Sequence, residues 1–222
     1  MITCARSGRA APRLPNFLVL RTGPRVGCPP AADRSVPPHE RAVLDLLADA
    51  MPSEGEAARN HARWRVKMPE DWDQQLAVLR ESLVVLPQLL NGVAPGRLRR
   101  APAPGEWSAH VVVCHLVLNE MNTAMSLRLI LTQDRPSLCE IEDDRCAERF
   151  APLYPDTETA LGVWRALRED NLRLCASVSP DDCERIGQVP WDDKGVSFRR
   201  YVTSRGRHDL NHIEQIRAVL TG

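Results

Sequence analysis

Residues 70–90 read EDWDQQLAVLRESLVVLPQLL, with leucines at 76, 79, 83, 86 and 90. The steps alternate between three and four, which returns each side chain to one face of a 3.6-residue helix. Polar residues fill most of the other positions, so the segment predicts an amphipathic helix that must bury its leucine stripe against a partner. Pro87 is expected to bend or shorten the last turn. Asn91-Gly92 and the proline-rich stretch 94–105 then end the helix and begin a connection.

Three further helices follow the same logic. Ser108 can cap a second, strongly apolar helix running to about residue 131, where Gln133-Asp134-Arg135-Pro136 stops it. The acidic connection 136–155 is longer than the usual link between packed helices and reads as a crossover or a lid. Asp156 or Thr157 can cap the third helix, whose apolar stripe is Leu161, Trp164, Leu167, Leu174 and Val178, ending at Ser179-Pro180. The fourth starts at Ser197, after Gly195, and Phe198, Tyr201, Val202, Ile216 and Val219 mark its buried face. No period-two strand pattern competes with these helices, and no internal repeat is visible. The expected fold is therefore all-α, a four-helix bundle over residues 67–222.

The first 66 residues have a different character. Up to Pro38 the chain is rich in Arg and Pro, with Asp33 its only acidic residue. Such a composition cannot build a core, so 1–66 is expected to be a largely disordered leader with a short helix near 40–50. Its apolar run 17–20 is too short for a secretory signal, and Met51 and Met68 are alternative starts. Across the whole chain, 29 basic residues balance 29 acidic ones, leaving no net field to attract nucleic acid or anionic lipid. No stretch approaches the apolar length of a membrane span. The 7 cysteines are odd in number and contain no C-x-x-C pair, which argues against a disulfide framework or a cysteine-based zinc module and fits a reducing cytoplasm.

Histidines are the notable polar residues. His208 and His212 stand four apart in Arg207-His208-Asp209-Leu210-Asn211-His212, so both imidazoles share one helix face. Tyr201, Arg205, His208, His212, Gln215 and Val219 trace a stripe that includes core residues, which points the pair inward. His115 follows three valines and a cysteine in the apolar second helix, where a buried imidazole needs a hydrogen bond or a metal. Taken alone, His115 reads first as a hydrogen-bonded core histidine and the pair as helix-surface or hydrogen-bonded core histidines. Together, one inward His and an inward i, i+4 pair match the way bundles build metal sites from facing helices.

These residues also resemble a known family. Pro104-Gly105-Glu106-Trp107-Ser108, His115-Leu116 with Glu120 and Arg128 downstream, and His208-Asp209-Leu210-Asn211-His212 before Gln215-Ile216 are similar, in order and spacing, to the DinB/YfiT-like superfamily of metalloenzymes. The resemblance covers about residues 70–220. It implies a four-helix bundle holding one divalent metal on His115, His208 and His212. It also implies a small-molecule substrate and an activity among those of characterised relatives, which include metal-dependent hydrolases and enzymes using low-molecular-weight thiols, such as S-transferases.

Three neutral imidazoles leave a coordination position for water, substrate or a thiolate, the arrangement of a catalytic site. Such a site suits Zn, Ni, Fe or Cu. Asn119, Asn122, Arg205 and Gln215 are candidate pocket residues by helical angle, Gln215 being placed to orient a ligand. Asp209 is read as a surface carboxylate, Glu120 and Arg128 as ion-pairing or supporting residues, and His110 as structural. No residue is singled out as the catalytic group. Two function classes remain: a metal-dependent enzyme performing hydrolysis or thiol S-transfer, or a non-enzymatic, metal-stabilised bundle acting as a dimeric binding module.

Overall fold

The computed structural model describes residues 70–139, 141 and 143–222. The leader 1–66 and the short helix expected near 40–50 lie outside the described residues. In chain order the elements are α1 (Trp72–Leu90), α2 (Pro95–Leu98), α3 (Ala109–Thr132), α4 (Asp143–Phe150) with a following 3-10 turn (Ala151–Leu153), α5 (Thr157–Ser177), α6 (Pro180–Cys183), β1 (Ile186–Val189), β2 (Asp192–Ser197) and α7 (Phe198–Thr221).

Side-chain caps set the starts of the long helices. Asp71, Ser108, Asp156 and Ser197 each accept a hydrogen bond from the backbone N–H three residues on, at 2.9, 3.3, 2.7 and 3.2 Å. Each satisfies a donor that the first turn would otherwise leave without a partner. Pro87 does not break α1, which continues to Leu90.

Helix α3 packs against both α5 and α7, and α1 packs against the same two, so α1 and α3 face each other across the bundle diagonal. Helices α1 and α3 are consecutive among the long helices yet are not close neighbours, which the connection 91–108 makes possible. Contacts with α4 as well as α5 and α7 leave α3 enclosed, and Ala109, Val112, Val113, Cys114, Leu116 and Val117 are all fully buried. That explains why its sequence is apolar nearly all round rather than along one stripe. Leu86, Trp164, Leu210, Ile213 and Ile216 join this cluster, while Leu76, Leu127, Ile130, Phe198 and Tyr201 form a second one towards the hairpin.

The hairpin corrects the expectation that no strands occur. β1 and β2 pair antiparallel, with Ile186 opposite Ser197 and Val189 opposite Asp192, and an irregularity between Gly187 and Val189. The strands hold four and six residues and contain polar residues and glycines, so neither shows a clean alternation of apolar side chains. What holds them is close backbone approach: a Cβ on Gly187 would lie 2.7 Å from Leu138 Cδ1 and 3.0 Å from Ile130 Cγ1. Gly195 adopts φ +77°, a left-handed conformation suited to glycine. The chain after α3 is tied to the same hairpin, since Leu138 N–H donates to Gln188 O and Gln188 N–H donates to Pro136 O at 2.8 and 2.7 Å. The connection 136–155 is thus anchored to the hairpin at its start and contains a helix of its own.

Beyond its first turn α5 buries Trp164, Arg168, Asn171, Leu172 and Cys175, whereas Leu161, Leu167 and Leu174 are only partly covered. The true inward stripe is therefore rotated from the all-apolar one and includes two polar residues. Among the described residues no helix is long and apolar enough to cross a membrane. Cys114, Cys146, Cys175 and Cys183 are free.

Candidate metal centre

His115 lies in the second turn of α3, and His208 and His212 lie on the inner face of α7, which packs against it. The helices bring three imidazoles to one point. His208 Nε2 is 3.1 Å from His115 Nε2 and 3.0 Å from His212 Nε2. All three residues offer a ligand atom within 4.8 Å of the others. Trp107 walls this cluster: its ring stacks on His212 at 6.3 Å with an interplanar angle of 20° and lies 5.0 Å from His115.

Partners on the far sides of the rings decide which nitrogens face inward as lone pairs. His208 Nδ1–H donates to Asp209 Oδ1 at 3.0 Å, and His212 Nδ1–H donates to Gln215 Oε1 at 2.7 Å. With the proton held on Nδ1, each Nε2 is an acceptor. His115 Nε2 is an acceptor as well, because Asn119 Nδ2 donates to it at 2.9 Å. The orientation of that amide is set from behind, since Asn119 Oδ1 accepts from Arg205 Nη1 at 3.1 Å.

Burial, followed by the neighbouring His212 and His115 and then Arg205 and Arg168, holds His208 far below the ordinary imidazole range. His208 is thus a neutral acceptor, and the Nε2 atoms of His115 and His212 are turned towards it. Such a set fits a divalent cation, which supplies the positive charge that these lone pairs lack.

Behind the imidazoles lies a buried ionic network. Arg168, 3% exposed, pairs with Asp209 Oδ2 and with Glu120 Oε1, the latter at 2.8 Å, and donates to Ser82 Oγ at 3.2 Å. Asn171 Nδ2 donates to the other Glu120 oxygen at 2.8 Å. The Arg168 guanidinium also sits over the Trp164 ring at 5.3 Å.

Asp209 is therefore no surface carboxylate: it is 2% exposed and bridges His208 to Arg168. The step of about 100° from His208 turns it towards α5 rather than towards solvent. Arg168 is the residue that sequence reasoning missed. A signal was present, because Trp164, Arg168, Asn171 and Cys175 recur at steps of four, three and four, so the arginine stands on an inward stripe.

The remaining candidates fall in several places. Arg205 reaches the cluster through Asn119 and lies over Tyr201 at 5.2 Å. Gln215 touches His212 directly. Asn122 does not join the cluster, since its Nδ2 donates to Cys139 O at 3.2 Å. Arg128 pairs with Asp170 on the surface, whereas Glu120 is buried against Arg168. His110 is buried on another side, hydrogen-bonded to Thr157 Oγ1 at 3.0 Å, and burial lowers its pKa.

The sequence profile of the DinB superfamily matches residues 78–216. A putative metal-dependent hydrolase of Oceanobacillus iheyensis is 27% identical over 115 residues, 50% of this chain and 66% of that protein, so the match spans just under two thirds of the relative. A similarly named protein of Bacillus cereus strain AH820 is 23% identical over 153 residues, covering 68% of this chain and 86% of the relative. Among solved structures, YfiT of Bacillus subtilis, described as a probable metal-dependent hydrolase with an unusual four-helix bundle topology, superimposes with a TM-score of 0.63. That match has 20% identity and covers 70% of this chain and 92% of YfiT, a likeness of fold. With the profile spanning well over half of the sequence, the chain belongs to the DinB superfamily.

Proposed function

We propose that this protein is a metal-dependent hydrolase of a small-molecule substrate, with one divalent ion held by His115, His208 and His212. The observation that carries the reading is the convergence of three imidazole Nε2 atoms, with His208 Nε2 3.0–3.1 Å from the other two. Relatives named as metal-dependent hydrolases support the choice of reaction. A divalent ion bound by three imidazoles supplies Lewis acidity and makes water acidic near neutral pH.

The chain's own residues do the rest. Asp209 and Gln215 hold the two α7 imidazoles with Nε2 forward, and Arg168 holds Asp209 in place. Trp107 covers one side with an apolar surface that keeps bulk water from His115 and His212. His208 has 22% of its side chain exposed, so solvent reaches the centre on that side. Asn119 and Arg205 supply hydrogen-bond donors beside it, which would orient a carbonyl or an anionic group of the substrate.

The test starts with elemental analysis of protein purified without a polyhistidine tag, which also decides between Zn, Ni, Fe and Cu. Ester and amide substrates are then assayed with and without added small thiols, on wild type and on His208→Ala. Turnover lost together with the metal supports the reading. Strict dependence on an added thiol would move the assignment to S-transfer. No turnover with any substrate, in a dimer that keeps its metal, would favour a binding module. Turnover retained by a folded, metal-free His208→Ala variant would overturn the metalloenzyme altogether.

A further inference from the structure

Behind the imidazoles, residues of α1, α3, α5 and α7 line a small, partly open cavity of about 20 Å³, whose wall includes Glu120, Thr123, Arg168, Asn171, Cys175 and Arg205. Three polar atoms of these residues have no hydrogen-bond partner among the described residues: Thr123 Oγ1, Asn171 Oδ1 and Arg205 Nε. Thr123 and Asn171 are only 5% and 4% exposed. A buried polar atom left unsatisfied costs about 1–3 kcal/mol, so three around one cavity call for a common ligand.

The chemistry of the three atoms restricts what that ligand is. Arg205 Nε–H only donates, Asn171 Oδ1 only accepts, and the Thr123 hydroxyl does either. A bare anion would suit Arg205 and be repelled by Asn171 Oδ1, and a bare cation would meet the reverse. Two carboxylates, Glu120 and Asp209, already pair with Arg168, and Arg205 donates to Asn119 Oδ1. A neutral molecule able both to donate and to accept fits. A cavity of roughly 10–15 Å³ holds one water, and a buried water makes about three hydrogen bonds.

We propose that this cavity is a hydration site holding one ordered water, which accepts from Arg205 Nε, donates to Asn171 Oδ1 and shares a hydrogen bond with Thr123 Oγ1. The water joins two arms that otherwise run separately behind the histidines. One arm is His115, Asn119 and Arg205; the other is His208, Asp209, Arg168, Glu120 and Asn171. This inference concerns the protein without its ion and does not depend on the metal chemistry proposed above.

Oxygen-17 magnetic relaxation dispersion on the metal-free protein tests it, comparing wild type with Thr123→Leu, which fills the cavity, and with the near-isosteric Thr123→Val, which removes only the hydroxyl. A crystal structure at high resolution gives the direct view. Wild type is expected to show a long-lived internal water that Thr123→Leu loses and that Thr123→Val holds for a several-fold shorter time. The side-chain amide resonances of both Asn171 and Asn119 should shift in the folded Thr123→Val variant, because the water connects the two arms. Equal dispersion in wild type and folded Thr123→Leu, or a dry or ion-filled cavity in the crystal, would overturn the hydration site. An Asn119 amide that does not respond would overturn the connection.

Discussion

Asp209 Oδ1 accepts from its sequence neighbour His208 at 3.0 Å while its other oxygen pairs with Arg168, so one carboxylate ties an α7 imidazole to α5. The bond fixes the tautomer of His208, and Arg168 fixes the carboxylate. Position and basicity of the candidate ligand are therefore set by a residue on a different helix.

Replacing Arg168 should be the most damaging single change in the network. Arg168→Met leaves Glu120 and Asp209 buried without their cation, at a cost of about 3–5 kcal/mol. Arg168→Lys keeps the charge but loses the planar fork that reaches both carboxylates, so an intermediate loss is expected. Urea denaturation midpoints of the metal-free proteins measure both; a near-wild-type midpoint for Arg168→Met would contradict the network.

Metal affinity should respond to the partners of the ring Nδ1 atoms as well as to the histidines. His115→Ala, His208→Ala and His212→Ala are each expected to lose stoichiometric metal, whereas Asp209→Ala should keep a site weakened about 10–100-fold. Gln215→Ala removes a neutral acceptor from His212 and should cost less than Asp209→Ala. Competition with a chromophoric chelator reads all five. Saturating metal should also raise the melting temperature of wild type but not of the histidine variants, about 4 kcal/mol being available at a thousandfold excess over the dissociation constant.

Alkaline pH should destabilise the fold through two thiols. Burial pushes Cys114 and Cys175 up to about 12 from an ordinary value of 9.0. The unfolded chain therefore releases these protons near pH 9 while the folded chain retains them. Stability from this source is intact below about pH 9 and falls as pH rises towards 12. Urea midpoints between pH 8 and 11 should show the decline, and Cys175→Ala should flatten it. In the native state at pH 8, partly exposed Cys146 should be alkylated well before buried Cys114 or Cys175, as mass spectrometry of a timed iodoacetamide reaction would show.

Gly187→Ala should strain the hairpin. The added methyl would meet Leu138 and Ile130 side chains at 2.7 and 3.0 Å, and overpacking of this kind typically costs about 1–3 kcal/mol. Thermal melts would detect the loss. The equivalent change at Gly162, where a Cβ meets nothing within 4 Å, should be neutral or slightly stabilising because that residue is helical.

By itself the sequence determined the four long helices, the caps at Ser108 and Asp156, the start of the last helix at Ser197, and the placing of His208 and His212 on one face. All of these are local: a cap needs a side chain three residues from its donor, and periodicity needs only the next turn. The hairpin was not legible, because its strands hold together by backbone pairing and by the fit of Gly187 against α3 and Leu138, with little side-chain alternation to betray them. Nor was the environment of Asp209, which depends on the rotation of α7 against α5. Whether an arginine on a half-polar stripe points to solvent or to a partner is decided by what the neighbouring helices present to it. Only the tertiary structure set Glu120, Asp209 and Arg168 within reach of one another, and only it separated Asn119, which touches His115, from Asn122, which does not.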